Sequence, residues 1–469
     1  MQRILGLAIA TFAFSSLSAV PARSGSAAFA DSQAWNTHGQ FDQGRHRGGP
    51  IDVAALLTAA KGAPPLICSL AANSIGNWGW GGWSDAPATP LASANPATDG
   101  DFESRPLSAA EIQQLLAGLA ADDACVRELS VRLIGTQKPE TVGPELITRL
   151  GSSDGGMRSI AALGLGLVDA HNAVDPLIRA LRDASVDVRA NSAWALGRIE
   201  NGRALQPLLG ILGDAAEKVR LAAVTAAGHI DSTSSVPALI RVLRQDSSPN
   251  VRRVAAWALG NLEAREGVTA LIDALARDSD SRVREMSAWA LGNIEDRRGV
   301  AALGAAARGD AEDRVRETAV WALGTVEDRS ALDILAAVTA DRSANVRGTA
   351  AWAIGQLDQE GTRAPEGLLR LLRDENTDVR LKAAWALGQL EDRNALSAIR
   401  DALKVEKNDR VRKALIRALM KSGESSQETL TELLSSSDPQ VREAAVRGIA
   451  GARSFDPWPW PWPRPRPFP

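Results

Sequence analysis

A repeat constrains this chain more than any other feature. Val-Arg pairs and their variants place an Arg at 127, 158, 189, 220, 252, 284, 316, 347, 380, 412 and 442, so eleven units follow one another at 30–33 residues each. A period this constant, with polar breakers between units, marks a one-dimensional array. Each unit holds two helical segments. "VTALIDALAR" (268–277) carries apolar residues three and four apart, "DSDS" interrupts it, and "VREMSAWALGNIE" (283–295) follows before "DRRG". Such short joints make neighbouring helices antiparallel. Neither helix can bury its apolar face alone, so stacked neighbours must bury it together.

The pattern "VRxxAAWALGxL", followed by "EDR" and a helix such as "ALSAIRDAL", resembles the HEAT repeat. It is most similar to the bacterial short-unit type named after phycobilisome lyases. The resemblance spans 106–453 and implies an all-α, right-handed α-solenoid of about eleven helix-pair repeats. It implies little about activity, because that family includes lyases, a metal-dependent hydroxylase and plain scaffolds. Around the solenoid the sequence divides into a signal peptide (1–30), a Gly/Trp-rich segment with short capping helices (31–105) and a Pro/Trp-rich tail (454–469).

Tyr is absent, yet there are 13 Trp, six of them within the repeats. On a wheel at about 100° per residue the buried stripe of a second helix runs through Val251, Ala255, Ala258, Leu259 and Leu262. Trp257 falls at about 240°, in a second stripe with Arg253 and Asn261. The central position reads Arg132, Leu163, Trp194, Thr225, Trp257, Trp289, Trp321, Trp352, Trp385, Arg417 and Arg447 through the units. Four residues after each ring of the unbroken run stand Asn261, Asn293, Thr325, Gln356 and Gln389. The HEAT resemblance puts this stripe on the concave face. The arrangement is similar to the groove of armadillo-type nuclear import receptors, where rings stack on peptide side chains and amides bond the peptide backbone. An amide offers a donor and an acceptor together, and an indole offers a rigid apolar face. The candidate ligand groove is therefore Trp194, Trp257, Asn261, Trp289, Asn293, Trp321, Trp352, Gln356, Trp385 and Gln389. The rings could equally lean on the next unit's helix and seal the stack, and the sequence leaves both readings open.

The Arg at 252 and its equivalents sits at the edge of the buried stripe, after corners holding Asp187, Asn250, Asn345 or Asp378. It reads as a structural ladder to corner carboxylates and carbonyls. The N-terminus reads as an export signal, with Arg3 before an apolar run from Ile4 to Phe14 and an A-x-A-like site around Phe29. Export to the periplasm or outside the cell makes a Cys68–Cys125 disulfide the default expectation. Segments 50–60 and 65–76 are expected to form two short helices covering the first unit, since solenoid ends need caps. Trp78, Trp80 and Trp83 follow in a loop.

No H-E-x-x-H, G-x-S-x-G or Walker loop is present, and none of His38, His46, His171 and His229 is followed by Glu. The expectation is no catalytic residue, no metal and no cofactor. A net charge of −3 supplies no basic field for nucleic acid. The reading is an exported, non-catalytic scaffold that binds an extended protein or peptide ligand. The alternatives are a glycan-binding solenoid, or a sensor or partner subunit of a membrane protease or signalling protein. An enzyme of the lyase or hydroxylase kind ranks last, and oligomeric state is not readable.

Overall fold

The structure is a computed structural model that describes residues 52–75, 106–357, 363–424, 427–437 and 439–449. The expected signal peptide, the leader, the three Trp of 78–83 and the Pro/Trp tail lie outside the described residues. The described chain is all-α. Helices α1 (Val53–Ala60) and α2 (Pro65–Ser74) precede eleven helix pairs, from α3 (Ala109–Gly118) and α4 (Ala124–Gly135) to α23 (Gln427–Leu434) and α24 (Pro439–Ile449). No described helix is long and apolar enough to cross a membrane.

Unit 6 shows why the sequence folds this way. Its first helix, α13, runs Val268–Arg277 as the spacing predicts and buries Val268, Ala270, Leu271 and Leu275. Its second helix, α14, spans Ser281–Ile294. It starts two residues before Val283 because the Asp280 carboxylate caps it, accepting from the Arg282 N–H. Asp123, Asp154, Ser248, Asn376 and Asn408 cap other second helices in the same way. At the far end, Asp169, Glu200, Glu263, Glu295, Glu327 and Glu391 all take left-handed backbone, with φ between 46° and 54°. That conformation ends the helix and turns the chain toward the next unit.

Second helices stack on one another more closely than first helices do. Glycine makes this approach possible. A Cβ on Gly260 would lie 2.8 Å from Ala290 Cα, and one on Gly197 would lie 2.8 Å from Ala226 Cα.

The Arg ladder is structural, with one correction to the carboxylates expected from the corners. Asp187, Asn250, Asn345 and Asp378 are not the partners. Eight of the guanidiniums instead fork onto the acid that ends the following unit's first helix: Arg158 on Asp183, Arg189 on Asp214, Arg220 on Asp246, Arg252 on Asp278, Arg284 on Asp310, Arg316 on Asp341, Arg347 on Asp374 and Arg380 on Glu406. Nη1 of Arg252 also donates to the carbonyls of Asp246 and Ser247 at 2.9 and 3.3 Å. The Asp246 carboxylate meanwhile holds Arg220. One corner acid thus ties its own unit's Arg through its carbonyl and the previous unit's Arg through its side chain. The sequence could not show this, because the partner stands 25–27 residues away.

Helices α1 and α2 pack against unit 1. Gly62 N donates to Asp123 Oδ2 at 2.8 Å. Cys68 and Cys125 have their sulfurs at 2.04 Å and their Cα atoms 5.7 Å apart.

Candidate ligand face

The central positions of α8 (Val186–Ile199), α10 (Glu217–His229), α12 (Pro249–Asn261), α14, α16 (Asp313–Thr325), α18 (Ala344–Gln356) and α20 (Thr377–Leu390) fall in register along the second-helix layer. The rings there lie against the preceding unit rather than the next one. A Cβ placed on Gly166, Gly228, Gly260, Gly292, Gly324 or Gly355 would sit 2.6–2.9 Å from Cζ3 of Trp194, Trp257, Trp289, Trp321, Trp352 or Trp385 respectively. Each indole edge occupies the room left by a glycine of the neighbouring second helix, which for Gly260, Gly292 and Gly324 closes a W-A-L-G motif. Trp257 and Trp352 are buried at 6% and 2% exposure. Trp194, Trp289, Trp321 and Trp385 are half-buried and pack against the same core. The rings therefore seal the stack with one edge, and four of the six keep part of their surface on the outside of the layer. The sequence signal for this coupling was visible, since Trp and Gly recur three residues apart in the repeated motif.

The amide row divides in two. Asn261 Nδ2 donates to Gly228 O at 3.0 Å, in the preceding unit. Thr325 Oγ1 makes the same link to Gly292 O at 3.2 Å, and Arg198 Nε to Gly166 O at 3.1 Å. Gln389 Oε1 accepts from Lys421 Nζ at 2.9 Å. These four groups are tied within the chain. Asn293 and Gln356 are half-buried beside Trp289 and Trp352, and among the described residues no hydrogen bond occupies their amides.

Where the run of rings breaks at Thr225, the polar groups change. Arg198 lies over the Trp194 ring at 5.5 Å. The His229 ring stands 5.0 Å from that of Trp257, tilted by 57°. Burial, helped by the Arg198 charge, lowers the His229 pKa to about 3, so its imidazole stays neutral. Burial likewise lowers the Arg198 pKa. Further along the layer, burial raises the carboxyl pKa of Glu285 and Glu317. Lys382 reaches over Gly348, where a Cβ would meet its Nζ at 3.3 Å. Among the described residues no group of three or more His, Cys, Asp or Glu is placed to hold a metal ion.

At unit 1 the same register position is Arg132. It is 2% exposed, its Nε donates to Glu128 Oε1 at 2.6 Å, and its Nη1 donates to Ala72 O in α2 at 2.8 Å. The face is covered here by a segment of the chain itself.

A repeated helix pair with a shared Arg–carboxylate ladder defines a solenoid of the HEAT class. The chain belongs to the HEAT-repeat family, whose sequence pattern matches residues 112–188, 174–247, 236–314, 300–366 and 365–450. No curated protein matches the chain. Among solved structures it is similar to Kap95p in a complex with RanGDP, at 15% identity and a TM-score of 0.52 over 72% of this chain and 55% of that one. It thus spans about half of that protein, and the likeness concerns the fold alone. An engineered protein is 19% identical over 74% of this chain and 99% of its own, with a TM-score of 0.39. An Escherichia coli protein is 20% identical over 55% and 99%, with a TM-score of 0.42.

Proposed function

We propose that this HEAT solenoid is a scaffold that holds an extended polypeptide along its second-helix layer. The α2–α4 contact is the observation that supports this reading best. A helical segment of the chain, α2, already lies on that layer at unit 1, and the side chain in the ring register donates to a carbonyl in its last turn. Along units 6 to 9 the half-buried rings of Trp289, Trp321 and Trp385 offer apolar contact. The Asn293 and Gln356 amides offer a donor and an acceptor to an extended backbone. Packed helices repeat at about 8–10 Å and a polyproline II ligand turns every ~9 Å, so one ligand turn per unit is geometrically matched. Closer spacing of the second helices supports a concave second-helix side, as a groove for the row would require.

The same reading places the protein outside the cytoplasm, with Cys68 and Cys125 oxidised and the cap fixed to unit 1. It keeps the short-unit bacterial HEAT type, the absence of catalysis and the sequence-derived segment boundaries as parts of the proposal. Selection of random dodecapeptides on the full immobilised chain tests it. Enriched peptides should lose at least fivefold in affinity on Asn293→Ala or Gln356→Ala, with the melting temperature unchanged. Peptides indifferent to both substitutions would overturn the reading, and displacement by cell-wall oligosaccharides would favour a glycan ligand.

A further inference from the structure

The first-helix layer, opposite the tryptophan row, carries a cavity that the polypeptide reading does not use. Units 3 and 4 have short first helices, α7 (Val174–Ala180) and α9 (Leu205–Gly210), of seven and six residues. Between them opens a cavity of about 630 Å³, within the size range of small-molecule sites. Ile178, Leu181 and Ile211 supply apolar lining, and Gly210 lines it without a side chain. A Cβ on Gly210 would meet nothing within 4 Å.

Two cations border this cavity. Arg179 and Arg182 are exposed, stand three residues apart, and both line it. Like charges at that spacing repel on a helical turn. Among the described residues neither guanidinium has an ion-pair or hydrogen-bond partner. The nearby acids are engaged elsewhere, Asp175 by Arg203 at 2.7 Å and Asp183 by Arg158 at 2.7 Å. Gln206, the polar side chain across the cavity, is neutral. The corresponding cleft between units 5 and 6 differs. It holds its own counter-charge, with Asp273 3.9 Å from Arg244. The helix C-terminus accounts for one basic residue in the last turn of α7. It does not account for two unpaired guanidiniums over an apolar hollow.

We propose that the cavity between α7 and α9 binds a small amphipathic carboxylate, its aliphatic body on Ile178, Leu181 and Ile211 and its head between Arg179 and Arg182. Paired guanidiniums suit a carboxylate because each can offer two parallel N–H donors. The site is independent of the polypeptide face, so either can fail alone.

Ligand-observed NMR titration of the full chain with decanoate, decanol and acetate tests this. Saturable decanoate binding is expected, at least tenfold tighter than decanol and than acetate. Arg179→Gln with Arg182→Gln should weaken decanoate at least tenfold and leave decanol unchanged. Gly210→Leu should fill the hollow and abolish binding, while the circular dichroism spectrum and melting temperature hold. Equal affinity for decanol would reduce the site to an apolar hollow, and equal affinity for acetate would reduce it to a surface cation pair. Either result overturns the proposal, as would decanoate binding that survives Gly210→Leu.

Discussion

Gly292→Ala tests the packing logic of the second-helix layer. The added Cβ would sit 2.8 Å from Trp321 Cζ3, 2.9 Å from Ala322 Cβ and 3.0 Å from Ala322 Cα. Packed carbons prefer about 3.5–4.0 Å. The ring can tilt, but the neighbouring backbone can move only if the two units separate. Overpacking of this kind costs about 1–3 kcal/mol. Helix propensity returns about 1 kcal/mol for Gly to Ala. The expected result is a net loss of about 0–2 kcal/mol, felt in units 6 and 7. Gly210→Ala is the control, because its Cβ meets nothing within 4 Å and it should be neutral or stabilising. An eleven-unit array is not a two-state system, so local stability is best read by native-state hydrogen exchange of α14 and α16. Trp321→Ala in the same chain should relieve the ring contact but not the Ala322 contacts, giving a coupling of about 1 kcal/mol. If Gly292→Ala stabilises as much as Gly210→Ala, or is additive with Trp321→Ala, the indole edge does not occupy the glycine notch.

Arg252→Ala should cost about 2–4 kcal/mol in urea unfolding followed by exchange, because it strands Asp278 and frees two carbonyls. Arg252→Lys should recover little, since one ammonium cannot fork onto both oxygens. Glu295→Gly should stabilise by about 0.5–1 kcal/mol in thermal unfolding, as φ is 53° and only Gly adopts that backbone freely. His229 gives a pH signature. Its folded pKa of about 3 lies below the unfolded value near 6.5, so the unfolded chain takes the proton first. Stability should fall by about 1.4 kcal/mol per unit as pH drops below about 6.5, flattening near 3. His229→Phe should remove that slope. The ladder carboxylates act in a lower window. Hydrogen bonds from Arg158 and Arg189 lower the pKa of Asp183 and Asp214. Their contribution is present above about pH 4 and lost as pH falls through the lowered folded values.

The period, the helix pairs and the two short helices before them were legible in the sequence, because each rests on local spacing of apolar and breaking residues. Even the boundaries of α13 were readable. The destination of the side chains was not. The wheel separated Trp257 from the apolar stripe, but an angle about one helix axis does not say which neighbour fills the remaining side. The W-A-L-G motif held the clue, since a glycine repeated in step with a tryptophan leaves room for a ring in the adjacent unit. Asn261 was expected to face ligand, yet one of its N–H donors is spent on Gly228 O, while Asn293 in the equivalent place makes no such bond. One repeated letter thus hides two environments, set by small differences between stacked units. The ladder acids escaped for a different reason. They belong to the following unit, and pairing across that distance is a property of the stack.

The most direct test of the polypeptide-binding claim is site-specific photo-crosslinking with a dodecapeptide enriched on the protein. The full chain carries the photoreactive side chain at Asn293 or Gln356 on the second-helix layer, or at the exposed Thr269 on a first helix. The account predicts peptide crosslinks from 293 and 356, reduced at least fivefold when Trp321 is replaced by Ala, and none above background from 269. Crosslinks from 269 alone, or equal yields from all three positions, would contradict it.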